Sequence, residues 1–207
     1  MSHMISTSQA SCKIWVDGVG CYLVCFGDDV QIGNARPDVQ KGSHIAIVSD
    51  LASQQAAINF RDESYWMQSI QQTSIDGVKV SGVTNLCHGQ LLTMGEDVQL
   101  RFLIPSSLSQ SAVLQLESPH RFANGVDGVI LFRKTCLLGD GTQKHITCRD
   151  WSADVVLFTR GDYLFCKTMQ GEISVDGETF GREIQVMSKK HLQGNDWSMS
   201  IETEEIN

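Results

Sequence analysis

No apolar run in this sequence comes near the ~18 residues that a membrane-spanning helix needs; the longest, VGCYLVCF and DGVILF, stop far short. The N-terminus also lacks the basic region and apolar core of a secretory signal, so the expectation is a soluble, cytoplasmic chain with no membrane insertion. Basic charge is scarce and scattered. Sixteen Lys and Arg stand against 24 Asp and Glu, a formal net charge of −8, and without a basic patch there is no footprint for a phosphate backbone. Nucleic acid is therefore not an expected partner.

Cysteine is present in an odd number, seven, with no CxxC. Cys87-His88 is an isolated pair, so the spacings of a structural metal site are missing and no metal or cofactor is expected. Most of the cysteines lie inside apolar stretches, as reduced thiols do in the cytosol. There is likewise no GxSxG elbow, no metal-spaced histidine pair and no GxxxxGK loop, the local signatures of several enzyme classes. We expect no catalysis.

What is present is a globular composition, 42% hydrophobic and 19% charged, and a recurrence. SIDGVKV (74 to 80) returns as ISVDGETF (173 to 180). Asp-Gly is the commonest tight-hairpin dipeptide, so this alone proves little, but other landmarks recur in the same order. Ile32-Gly33 matches Leu138-Gly139, His44-Ile45 matches His145-Ile146, and Asp50 matches Asp150. INFRDESYW then matches VLFTRGDYL, with Tyr65 on Tyr163, and GEDVQLRF (95 to 102) matches GNDWSMSI (194 to 201). The spacing stays between 98 and 106 residues, too long for a solenoid repeat, so each copy should be a domain. The expected division is 12–105 for the first copy, 106–111 for a Ser-rich linker after Pro105, and 112–206 for the second. A single sandwich with a long loop at that point is the alternative.

Within each copy, short β-branched and aromatic runs alternate with turn residues. In VQLRF, Val98, Leu100 and Phe102 share one face, and Trp197, Met199 and Ile201 share the corresponding face of the second copy. DLASQQAAI and DWSADVVLF both read as loop then strand. No segment suits a crossover helix, so the expected fold is all-β: two small antiparallel β-sandwiches in tandem. Arg160-Gly161-Asp162 reads as a hairpin turn, a role expected of Glu63-Ser64 in the first copy. The repeated histidines suit a role in the fold, such as holding a loop. Trp15, Trp66 and Trp197 are expected to fill the cores, and Trp151, in the loop before a strand, to be an exposed contact residue.

In order and spacing the anchors resemble the forkhead-associated (FHA) domain, whose pattern runs Ile-Gly-Arg, an apolar strand ending in Asp, SxxH, then Asn-Gly. The first copy offers VQIGNA, SHIAIVSD, ASQQAAI and SIDGVKVSG; the second offers CLLGDG, KHITCRD, WSADVVLF and ISVDGETF. The resemblance implies an FHA/SMAD-like sandwich that binds phosphothreonine peptides through loops at one end. A phosphate there needs a guanidinium, a hydroxyl donor and fixed N–H groups.

Both copies depart from the pattern at those groups. The expected Arg is Asn34 in the first copy and Asp140 in the second. Ser53 and Ser152 align with the serine, but the histidine becomes Ala56 and Val155, so the group that braces the loop is expected to be missing. The pairs Asp76-Gly77 and Asp176-Gly177 look like the second, turn-forming Asx-Gly of the family. Charge-assisted hydrogen bonds are worth about 1.5–3 kcal/mol each, so losing two weakens binding roughly a hundredfold or more. The leading expectation is a non-catalytic protein-interaction or scaffolding module without standard phosphothreonine recognition. The alternative keeps phosphothreonine-peptide binding in the first copy only, with Ser53 as the hydroxyl donor and Arg36 as the cation.

Overall fold

Strand periodicity is carried into burial almost residue by residue. In the computed structural model, which describes residues 4–8, 10–35 and 44–203, Val98, Leu100 and Phe102 are buried, and so are Trp197, Met199 and Ile201. The chain is all-β. Among the described residues the only helical element is a single 3-10 turn at Ala123–Gly125, and no helix is long and apolar enough to cross a membrane.

Strands of the first half are β1 (Ser11–Val16), β2 (Gly20–Cys25), β3 (Asp29–Asn34), β4 (His44–Val48), β5 (Ala56–Arg61), β6 (Ser64–Ile75), β7 (Val78–Leu86), β8 (Leu91–Met94) and β9 (Val98–Leu103). Those of the second half are β10 (Ala112–Leu116), β11 (Arg121–Phe122), β12 (Gly128–Leu131), β13 (Thr135–Gly139), β14 (Ile146–Thr147), β15 (Val155–Arg160), β16 (Tyr163–Thr168), β17 (Ser174–Val175), β18 (Glu178–Thr179), β19 (Glu183–Gln185), β20 (Lys190–Gln193) and β21 (Ser198–Thr203). Antiparallel pairing dominates, and among the described residues three pairs, β2–β12, β3–β4 and β13–β14, run parallel.

The strands form one long sheet, ordered β11-β4-β3-β5-β6-β8-β9-β10-β12-β2-β1-β21-β20-β17-β18 with β7 beside β6, and a five-stranded sheet β14-β13-β15-β16-β19. Apolar side chains gather into two cores, the first lined by strands of the long sheet alone and the second shared between the long sheet and the five-stranded one. The first strand of each half pairs with the last strand of the other: β1 with β21, and β10 with β9. At the centre β2 and β12 pair in parallel, Leu23 beside Val129 and Cys25 beside Leu131, each pair 106 residues apart like Ile32 and Leu138.

This exchange explains the two longest apolar runs. Leu23 and Cys25 face the first core and Val24 the second; Val129 and Leu131 face the first core and Ile130 and Phe132 the second. Strands buried on both faces read as continuous hydrophobic runs. Each such aliphatic or aromatic side chain contributes about 1.5–3 kcal/mol by leaving water.

The recurrent Asp-Gly pairs are two-residue hairpin turns, joining β6 to β7 and β17 to β18. Asp76 and Gly77 have φ of 49° and 80°, Asp176 and Gly177 49° and 90°, the geometry that favours Asp or Asn followed by Gly. The turn matching Gly161-Asp162 is Asp62-Glu63, φ 50° and 55°, one residue earlier than the expected Glu63-Ser64. Trp197 fills a core as expected, while Trp15 is 42% exposed. Trp15 shares its face of β1 with Ser11 and Lys13, opposite the buried Cys12, Ile14 and Val16.

Candidate functional site

The loops that the resemblance singles out follow β3 and precede β5 in the first half, and follow β13 and precede β15 in the second. A β-carbon on Gly33 would collide with the backbone carbonyl of Ser53, so the 49–55 loop packs directly on β3. The Asn34 N–H donates to the Ala52 carbonyl at 3.1 Å. The Asn34 side chain is buried and its Oδ1 has no donor among the described residues. Ser53 is half-buried and its hydroxyl has no partner among the described residues. Arg36 lies outside the described residues.

Loop bracing is not lost in the first half; Gln55 provides it, one position before Ala56. Its Nε2 donates to the Gln72 carbonyl at 2.7 Å, its carbonyl accepts the N–H groups of Ile70 and Gln71, and its own N–H donates to Ile32 O. Gln55 is 2% exposed. The sequence pattern missed it because the acceptor that defines its role, in the irregular stretch of β6 between Ser69 and Thr73, is 17 residues away. Asp76 and Gly77 are not brought to this rim. They lie beyond Thr73–Ile75, about 13 Å along the strand from Gln72, where Asp76 Oδ1 accepts the Leu91 N–H at 2.9 Å. Theirs is a folding role.

In the second half, the corresponding groups are tied to one another. Ser152 donates its N–H to Asp196 Oδ2 at 2.5 Å, and its hydroxyl together with that N–H holds the Asp196 carboxyl below the usual carboxylate range. Asp154 takes the position of Gln55: its carbonyl accepts the Met169 N–H, and its carboxylate pairs with Lys144 at 2.6 Å. A β-carbon on Gly139 would stand 2.5 Å from Asp154 Oδ1. Asp140 is exposed. Three carboxylates thus surround this rim, with Lys144 already paired. The recurrence held a signal for Asp196, since it aligns with Asp97, but Asp97 is exposed and lies 3.7 Å from His120 instead.

The expected exposed Trp151 is corrected: it is 7% exposed, with its ring centroid 5.8 Å from that of Trp197. The loop before β15 closes the open end of the second core, and an indole is large enough to plug it. Burying that area outweighs keeping it on the surface.

His145 does hold a loop. Its Nδ1 accepts the Leu137 N–H at 3.0 Å, so Nε2 carries the proton and donates to Ser109 Oγ at 2.8 Å. A general base needs the opposite tautomer, with a free Nε2 lone pair toward the hydroxyl, so this pair does not activate Ser109. Burial depresses the imidazole to about 4 from its ordinary 6.5.

A cleft of about 320 Å³ lies where the halves meet. Phe26 and Phe60 from the first half, Gln110 from the connection, and Phe132, Arg133 and Lys134 from the second are among its walls. Tyr65 beneath it donates to the Gln110 and Leu131 carbonyls; burial pushes its phenol up to about 12, against the pull of Arg133. No protein-family model matches this chain, and comparison with curated proteins finds no match.

Proposed function

We propose that this chain is a non-catalytic protein-interaction module built from two FHA-like copies, working in the cytoplasm without standard phosphothreonine recognition. The observation that carries this reading is the pair of rims. In the second, the internal carboxylate of Asp196 already takes the Ser152 N–H that a phosphate oxygen would need, and Asp140 stands where a cation is required. On both rims an apolar side chain is displayed at the same place: Ile70, 41% exposed, gives its N–H to Gln55 O as Met169, 54% exposed, gives its own to Asp154 O. Such repeated exposed apolar positions suit contact with a protein partner better than with a phosphate. Six of the seven cysteines are buried, which suits a reducing compartment.

A second reading is favoured by the Ser53 hydroxyl, which has no partner among the described residues: phosphothreonine-peptide binding by the first copy alone, with Arg36 as the cation. A degenerate phosphothreonine library, with its unphosphorylated counterpart as control, separates the two. The module reading expects no phosphate-dependent binding to the wild-type chain. Micromolar, phosphate-dependent binding that disappears in Ser53→Ala or Arg36→Ala overturns it in favour of the second reading.

A further inference from the structure

Arg133 is a nearly buried cation at the edge of the inter-half cleft. Its side chain is 6% exposed, and its Nη1 donates to the Gly27 carbonyl and to Asp28 Oδ1, both at 3.0 Å. The guanidinium lies over the Phe60 ring at 4.7 Å and the Tyr65 ring at 5.6 Å. Its remaining nitrogens, Nε and Nη2, are closed off from solvent and have no acceptor among the described residues. Stranding donors of a charged group in the interior is costly. These two adjacent N–H groups form the edge of the guanidinium that grips a carboxylate with two parallel hydrogen bonds.

The surroundings extend that chemistry. Lys134, next in the chain, is exposed and has no ion-pair partner among the described residues. Phe26 and Phe132 meet edge to face at 5.5 Å and give the cleft an apolar wall. Arg133 and Lys134 together outweigh Asp28 by one positive charge, which a single carboxylate neutralises. A phosphate dianion would instead leave net negative charge beside Asp28.

We propose that this inter-half cleft is a binding site for a carboxylate attached to an apolar group, as presented by an acidic residue beside an aromatic or aliphatic one in a partner peptide. The carboxylate engages Arg133 Nε and Nη2 together with Lys134 Nζ, and the apolar group lies on Phe26 and Phe132. Because the Arg133 edge is shut off, the site opens on binding by movement of side chains that line the cleft. The site is separate from both loop rims and stands whether or not either rim binds phosphate.

The test is an NMR titration of the whole chain with 3-phenylpropionate, against 3-phenylpropanamide and inorganic phosphate as controls. The Arg133 Nε–H resonance reports directly on the stranded donor. Saturable shifts of that resonance and of the Gln110, Phe132 and Lys134 amides are expected with the carboxylate, and binding at least about tenfold weaker with the amide, as loss of a charge-assisted pair implies. Arg133→Lys, which keeps the charge but not the planar edge, should lose about tenfold or more, and Lys134→Ala several-fold. Should Arg133→Lys fail to fold, Lys134→Ala and the amide control decide. Absence of saturable shifts, equal binding of the amide, or equal shifts with phosphate would overturn the proposal.

Discussion

The two loop rims are built on corresponding strands, β3 and β5 in one half and β13 and β15 in the other, and differ in what fills them. Around Ser53 the groups are neutral: Asn34, the Gln55 amide and the serine hydroxyl. Around Ser152 they are carboxylates, and one of them, Asp196, is already bonded to the serine. A shared frame thus tolerates opposite electrostatics at one end because the strands beneath are fixed by burial, not by the loops. The contrast teaches that the rims can be altered separately while the cores cannot.

The sharpest way to break that contrast is to strike a core. Phe102→Ala removes a fully buried ring in edge-to-face contact with Tyr65 at 5.3 Å, and should cost about 3–5 kcal/mol in urea unfolding. Since β1 and β10 cross between the halves, the loss should appear as one cooperative transition reported alike by Trp66 and Trp197. Two separate transitions would show that the halves are energetically independent.

Acid should act next, through the second half. The unfolded chain takes up a proton at His145 from about pH 6.5 downward, whereas the native imidazole resists until about pH 4. Stability is therefore whole above pH 6.5 and falls as the pH drops toward 4, by up to about 3 kcal/mol. In His145→Gln the slope across that window should flatten; an unchanged slope would assign it to other groups.

Smaller effects separate the rims. Gly33→Ala forces a methyl against the Ser53 backbone and should cost about 1–3 kcal/mol, with faster amide exchange through 49–55. Gly139→Ala meets the movable Asp154 side chain, although φ of 145° adds strain, so its loss should centre on the Lys144–Asp154 pair. Smallest of all, Asp196→Ala should leave the unfolding midpoint nearly unchanged while accelerating exchange of the Ser152 amide. A protected Ser152 amide in that variant would mean that Asp196 is not what occupies it.

Much of the frame was legible in the sequence because it is written locally. Alternation in β9 and β21 announces which face is buried, and Asp-Gly announces both hairpins. The exposure of Trp15 follows from its phase with Lys13, against the expectation that its ring would fill a core. Partner choice is not written locally: SCKIWV has the right alternation for an edge of either core, and only assembly of the whole sheet places it beside β21. The site was less legible for the same reason. Gln55, Asp196 and Arg133 take their roles from groups 17, 44 and 106 residues away, and Trp151 is buried by a ring 46 positions later.

The pairing of β1 with β21 also has a consequence for how the protein comes into being. Thr203, the partner of Cys12, lies 191 residues further along the chain. Strand β1 must therefore wait until all of those residues have been made before its second edge is covered. Contacts of such long sequence separation make folding slow, and an uncovered strand edge invites pairing with a neighbouring chain in the meantime. The order in which this protein is made thus runs against the order in which it can be completed.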